Sequence, residues 1–168
     1  QFFDRPDEVL CRYLFWYCIG LNDYAGAQLA LHLYSAAGGD TGAPWYVHRM
    51  GLLSALHGRL QEASGFLDNS LAAQLDSTVL YNRAIIKMNE GNIEPAEEDL
   101  WQALELQRHD VEAQHVSSKI RSKIGELFFI KRNWEAARRE LSYALEIDPA
   151  NHHAQYLLKE LEKIYLKE

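Results

Sequence analysis

Apolar residues along this chain recur at intervals of three and four, and no stretch shows the strict alternation of a half-buried strand. Val is scarce while Leu and Ala dominate, which suits helix and removes the β-branched runs that strands use. The spacing predicts helices at about 7–20, 24–36, 44–57, 60–75, 77–90, 94–107, 110–131, 134–147 and 151–167. Pro6, Pro44, Pro95 and Pro149 each fall at or just before one of these segments, where a missing N–H goes unnoticed. The expected class is all-α.

The helices pair into a repeat. In the second helix of each pair a small residue is followed four positions on by Leu and seven on by a residue that is usually small. The sets are Ala27, Leu31, Tyr34; Ala63, Leu67, Ser70; Ala96, Leu100, Ala103; and Ala137, Leu141, Ala144. Such spacing puts each set on one helical face, where Ala admits a close neighbour and Leu fills the next gap. Tyr34 breaks the small-residue rule. Three positions before each key Ala stands an apolar residue (Tyr24, Leu60, Ile93, Trp134), preceded by a turn at Asn22-Asp23, Gly58-Arg59, Gly91-Asn92 or Arg132-Asn133. Gly51, Ala84 and Gly125 sit twelve residues ahead of their key Ala and leave room for a crossing helix. The key Ala residues recur at periods of 33 to 41 residues, and tandem periods of that length mean a solenoid.

On these residues the chain resembles a tetratricopeptide repeat protein. The likeness is strongest over 77–110 and 118–151, where Gly125, Phe128, Trp134, Ala137, Leu141, Ala144 and the Asp148-Pro149 turn fall where that repeat places them. The resemblance implies a right-handed superhelical solenoid of antiparallel helix hairpins in one domain over 1–168. Its repeats run at about 8–43, 44–76, 77–110 and 111–151, with a capping helix at 152–168. In that helix Ala154, Leu157, Leu158, Leu161, Ile164 and Tyr165 make one apolar stripe, and Lys159, Glu160, Glu162, Lys163 and Lys167 face away.

Composition narrows the function. Lys plus Arg number 17 against 24 Asp plus Glu, a formal charge of −7, the wrong sign for a nucleic-acid-coating surface. The longest apolar run, Val9 to Ile19 interrupted by Arg12, is too short to span a bilayer and has no basic segment ahead of it, so neither a membrane span nor a signal peptide is expected. Cys11 and Cys18 lie about 10 Å apart along a helix axis, beyond disulfide reach, and read as reduced core residues of a cytoplasmic protein. The chain opens on Gln1 rather than Met, which suggests a piece of something longer.

Catalytic signatures are missing. Gly38, Gly39 and Gly42 lack the Lys-Ser/Thr of a phosphate-binding loop, and the seven His are scattered without ligand spacing. No enzyme activity, cofactor or metal is expected. Glu94, Glu97, Glu98 and Asp99 read as a solvated helix start whose carboxylates suit the positive end of the helix dipole.

Binding remains. The resemblance implies that the leading helix of each hairpin lines a concave groove. With frames started at residues 8, 44, 77 and 118 it places there Val9, Arg12, Tyr13 and Trp16; Trp45, His48, Arg49 and Leu52; Thr78, Tyr81, Asn82 and Ile85; and Lys119, Ser122, Lys123 and Glu126. Partner-binding candidates among these are Arg12, Tyr13, Trp16, Trp45, His48, Arg49, Tyr81, Asn82, Lys119 and Lys123, a basic and aromatic strip in an acidic protein. Tyr and Trp at helical spacing equally suit a core, and a one-residue shift of frame would bury half the set. Some members of the family clamp a terminal carboxylate with Lys, Asn, Asn, Lys and Arg. Asn82, Lys119 and Lys123 fall on matching positions, with Lys123 in place of the final Arg, whereas His48 and Leu52 depart from the pattern. The expected partner is therefore another protein or an acidic peptide segment, gripped loosely. Single-stranded RNA is the competing ligand, opposed by the acidic total. Val9, Leu10, Tyr13, Leu14, Phe15, Trp16, Tyr17 and Ile19 nearly encircle the first helix, which implies cover by an upstream part of the parent chain, or homotypic assembly.

Overall fold

The computed structural model describes residues 8–107 and 114–165. Among the described residues there are nine helices: α1 (Glu8–Gly20), α2 (Tyr24–Ala36), α3 (Pro44–Leu56), α4 (Leu60–Ala73), α5 (Ser77–Asn89), α6 (Ile93–Gln107), α7 (Gln114–Ile130), α8 (Trp134–Ile147) and α9 (His152–Tyr165). No strand occurs among them. The predicted starts of the first and seventh helices, and Lys167, lie outside the described residues.

Every leading helix ends in the same turn. The N–H groups of Asp23, Arg59, Asn92 and Asn133 donate to the carbonyls five residues back, Cys18, Ser54, Lys87 and Phe128, at 2.8, 2.8, 2.8 and 2.9 Å. Closing that turn needs a left-handed residue just before the donor. Asn22, Gly58, Gly91 and Arg132 fill the place with φ of 58°, 75°, 81° and 57°. The trailing helix starts at once, and Asp23 and Asn133 accept the N–H of Gly26 and Ala136 on their side chains. The chain thus reverses within three residues and lays helix on helix.

The small-Leu-small sets are the seam. All their members are buried, Tyr34 included. Tyr34 fits where a small residue stands elsewhere because its ring packs edge-on against Trp45, 4.8 Å between centroids, and its hydroxyl accepts the N–H of Asp40 at 3.0 Å. The chain beyond it passes so close that a side chain at Gly39 would meet the Tyr34 ring at 2.4 Å.

The hairpins form two compact units, residues 1–75 and 76–168. In the first, α1, α2 and α3 share a core of Phe15, Ala27, Ala30, Leu31 and Leu53. In the second, Ala137, Leu141 and Ala144 of α8 pack with Ala154, Leu157 and Leu161 of α9, flanked by Phe128, Phe129 and Trp134. The outward side of α9 carries exposed Lys159, Glu162 and Lys163. A buried polar link ties three helices here: Asn151 Nδ2 donates to Ser118 Oγ at 2.9 Å, and Ser118 Oγ donates to the Ala144 carbonyl at 2.8 Å.

The acidic start of α6 is only partly solvated. Asp99 is buried, taking Nε and a terminal nitrogen of Arg83 at 2.8 and 2.7 Å and the Lys87 ammonium at 2.8 Å. Glu97 reaches Lys131 on α7 at 2.6 Å, while Glu94 and Glu98 stay exposed. The helix period turns Asp99 inward beside Leu100, so a reading of this carboxylate as solvated is corrected.

Candidate functional site

The first unit gathers its candidates into a ladder of cations and rings. Arg12 on α1 lies over the Trp45 ring of α3 at 5.3 Å, and Arg49 of α3 lies over Trp16 of α1 at 4.6 Å and over Phe15 at 5.7 Å. Each guanidinium faces the electron-rich side of its ring, which holds the side chains extended across the two leading helices. Arg12 is exposed and also pairs with Glu8 at 3.2 Å, a surface bridge worth at most ~1 kcal/mol. Arg49 and His48 are buried rather than open, and a terminal nitrogen of Arg49 donates to His48 Nδ1 at 3.0 Å. Tyr13 is exposed but stacks on Tyr17, centroids 6.2 Å apart, away from Trp16. Accessible apolar and cationic surface on this side therefore comes from Arg12, Trp16 and part of Trp45.

The second unit assembles a different cluster. Lys119 and Lys123 stand one turn apart on α7, which packs against α5, the helix of Tyr81 and Asn82. Lys119 is exposed and its ammonium makes no ion pair among the described residues. Lys123 reaches Glu126 Oε2 at 2.6 Å, and His153 Nε2 from α9 reaches the same oxygen at 2.9 Å. Burial alone would raise the Glu126 carboxyl, but the hydrogen bonds from His153 and Lys123, with their charges, hold it down at about 2. Burial, with the Glu126 charge, pushes the Tyr81 hydroxyl up to about 12. The acid that sequence reading placed on this strip thus engages one of its two lysines, and His153, which no sequence signal singled out, completes the cluster.

A pH dependence follows from the Glu126 cluster. Its carboxylate is more acidic folded than at its ordinary value of 4.5, so its contribution to stability is full above that value and is lost as pH falls toward about 2. Denaturant unfolding of wild type beside Glu126→Gln should show the wild-type advantage shrinking through this window. A difference that stays constant across it would contradict the assignment.

Among the described residues no three His, Cys, Asp or Glu side chains come together as a metal site. No helix among them is long and apolar enough to cross a membrane.

No protein-family model matches this sequence, and no curated protein sequence matches it. Solved structures do. A chain of the APC/C hetero-tetramer Cut9–Hcn1 aligns over 91% of this chain and 29% of its own length, with TM-score 0.76 and 18% identity. PilF of Pseudomonas aeruginosa aligns over 94% of this chain and 68% of its own, with TM-score 0.78 and 12% identity. The first TPR of Spaghetti (RPAP3), bound to an HSP90 peptide SRMEEVD, aligns over 76% of this chain and 96% of its own, with TM-score 0.65 and 21% identity. This chain thus spans under a third of the Cut9–Hcn1 chain that it resembles and about two thirds of PilF. The fold is that of the tetratricopeptide repeat, a solenoid of antiparallel helix hairpins.

Proposed function

We propose that this chain is a non-catalytic protein-interaction scaffold that captures an acidic segment of a partner protein on the leading-helix face of its second unit. The observation that carries the reading is the pair Lys119 and Lys123, one turn apart on α7 beside the Asn82-bearing helix, in a chain of net charge −7. A local patch of opposite sign to the whole selects its ligand by charge and speeds encounter. Lys119 offers a ready cation, and a partner carboxylate competes with Glu126 for Lys123. Asn82 supplies an amide for the partner backbone, and Tyr81 a half-buried ring edge. On the first unit, Arg12, Trp16 and Trp45 form a second, more apolar station, with His48 and Arg49 fixing the rings from beneath. The similar RPAP3 domain, solved with a peptide containing two adjacent glutamates and a terminal aspartate, supports a peptide ligand of this chemistry.

The reading is tested by fluorescence anisotropy with an Asp/Glu-rich peptide and a single-stranded RNA, each titrated with the full chain. Saturable peptide binding should weaken at least about tenfold, roughly 1.4 kcal/mol, in Lys119→Glu/Lys123→Glu. Glu126→Gln, which releases Lys123, should bind as well as wild type or better. Tighter, steeply salt-dependent retention of the RNA would overturn the assignment.

A further inference from the structure

The acid that holds Lys123 is itself held from a third helix, by a side chain whose charge depends on pH. Glu126 Oε2 is shared: the Lys123 ammonium stands 2.6 Å from it and His153 Nε2, from α9, 2.9 Å. Lys123, Glu126 and His153 are 22%, 27% and 38% exposed, so water screens the cluster only in part while protons still reach the ring. Two donors compete for one oxygen. A neutral imidazole donates an ordinary hydrogen bond to the carboxylate, whereas a protonated one adds a full charge to that bond.

Each element packed around the ring contributes a known charge. From α7 it faces Glu126 and, through it, Lys123, with Lys119 one turn before. From α5 comes Tyr81, whose hydroxyl is pushed up to about 12 by burial and the Glu126 charge and so stays neutral. Glu126, held at about 2, stays ionised. The side of α8 against α9 is Ala137, Leu141 and Ala144, and Glu140 of that helix is engaged by Arg121 and Arg139. On α9 itself His152 turns to Gln155 at 3.3 Å, and Tyr156 and Lys159 are exposed. Histidine is the side-chain type that ordinarily changes charge between about pH 5 and 8. Protonation of this ring therefore takes Lys123, Glu126 and His153 from neutral as a group to singly positive.

We propose that protonation of His153 frees Lys123 from Glu126, so that capture of an acidic partner segment tightens as pH falls through the histidine range. The proposal rests on the capture reading above and names the regulation of that same site. A protonated ring neutralises Glu126, and Lys123, left without its compensating charge, turns to the partner's carboxylates. At higher pH Glu126 keeps Lys123, and Lys119 meets the partner without it. Because the two binding events reinforce each other, the chain takes up protons as the acidic segment binds.

The test is fluorescence anisotropy of the full chain with the Asp/Glu-rich peptide at about pH 6 and about pH 8, a window in which the peptide's own carboxylates stay ionised. Wild type should bind about threefold or more tighter at the lower pH. His153→Gln keeps a neutral donor for Glu126 and should lose most of that difference, with helical circular dichroism checking its fold. His152→Gln, whose ring faces Gln155, should keep the difference. Without peptide, the Lys123 and Glu126 amide shifts should follow the His153 ring titration in wild type and stay still in His153→Gln. Peptide affinities with the same pH ratio in wild type and His153→Gln overturn the proposal while leaving the capture reading intact. Amide shifts that move alike in the two proteins do the same. No saturable peptide binding at either pH overturns the capture reading and the proposal together.

Discussion

Asp99→Ala should destabilise the second unit by about 3 kcal/mol, seen as a lower denaturant midpoint at unchanged slope. The carboxylate is buried and balances two cations, Arg83 and Lys87, whose side chains are only about a fifth exposed. Removing it leaves both charges facing each other across the α5–α6 seam with limited access to water. That residual access keeps the loss at the lower end of the ~3–5 kcal/mol typical of a broken buried pair. Glu97→Ala is the control. Its bridge to Lys131 lies nearer the surface, and the change should stay within about 1 kcal/mol. A triple replacement, Asp99→Leu with Arg83→Met and Lys87→Met, should recover most of the stability, since burying apolar groups avoids desolvating three charges. Equal losses from Asp99→Ala and Glu97→Ala would contradict this picture.

Gly125→Val should lower stability by about 3 kcal/mol, near the upper end of ordinary overpacking. A Cβ at Gly125 would stand 2.6 Å from Leu141 Cγ and 2.7 Å from its Cδ2, and Leu141 is itself fully buried with nowhere to retreat. Gly51 holds the matching place in α3, but there the nearest atom is Leu67 Cδ2 at 3.0 Å. Gly51→Ala therefore trades slight crowding against the ~1 kcal/mol of helix propensity that glycine forfeits, and should come out within about 0.5 kcal/mol of wild type. Urea midpoints for the two variants measure the contrast. A Gly125→Val protein as stable as Gly51→Ala would mean that α7 and α8 cross less closely than described.

The helices, their turns and the small-Leu-small seam were legible because burial in a repeated hairpin is periodic. Ala63, Leu67 and Ser70 announce a face whatever surrounds them, and a Gly before a polar helix start announces a left-handed turn. Arg132 carries no such mark, and its turn was legible only through the repeat. Ion pairs were not legible, since they depend on which helix lies opposite: Asp99 meets partners sixteen and twelve residues earlier, and Glu126 meets His153 from a helix two elements on. The candidate site suffered at the same point. Adjacent positions on a helix differ by about 100°. Arg12 and Trp16 therefore fall beside Trp45 and Arg49, while Tyr13, one step from Arg12, turns toward Tyr17. Residue types showed that α1 was too apolar, but not that its excess divides between two different faces.

Sequence also counted charge without geometry. Four cations on one strip suggested a strongly positive surface, yet Arg12 pairs with Glu8, Lys123 with Glu126, and Arg49 is buried on two rings. Lys119 keeps an exposed ammonium with no ion pair among the described residues, and α7 of the second unit is where capture of an acidic segment is proposed.

The central claim is tested most directly by amide chemical-shift mapping of the full chain during titration with an Asp/Glu-rich peptide. Saturable shifts should concentrate at Asn82, Lys119, Lys123, Glu126 and His153, and should vanish in Lys119→Glu/Lys123→Glu. Shifts confined to the exposed arginines of α8, Arg138 and Arg139, or no shifts at millimolar peptide, would contradict it.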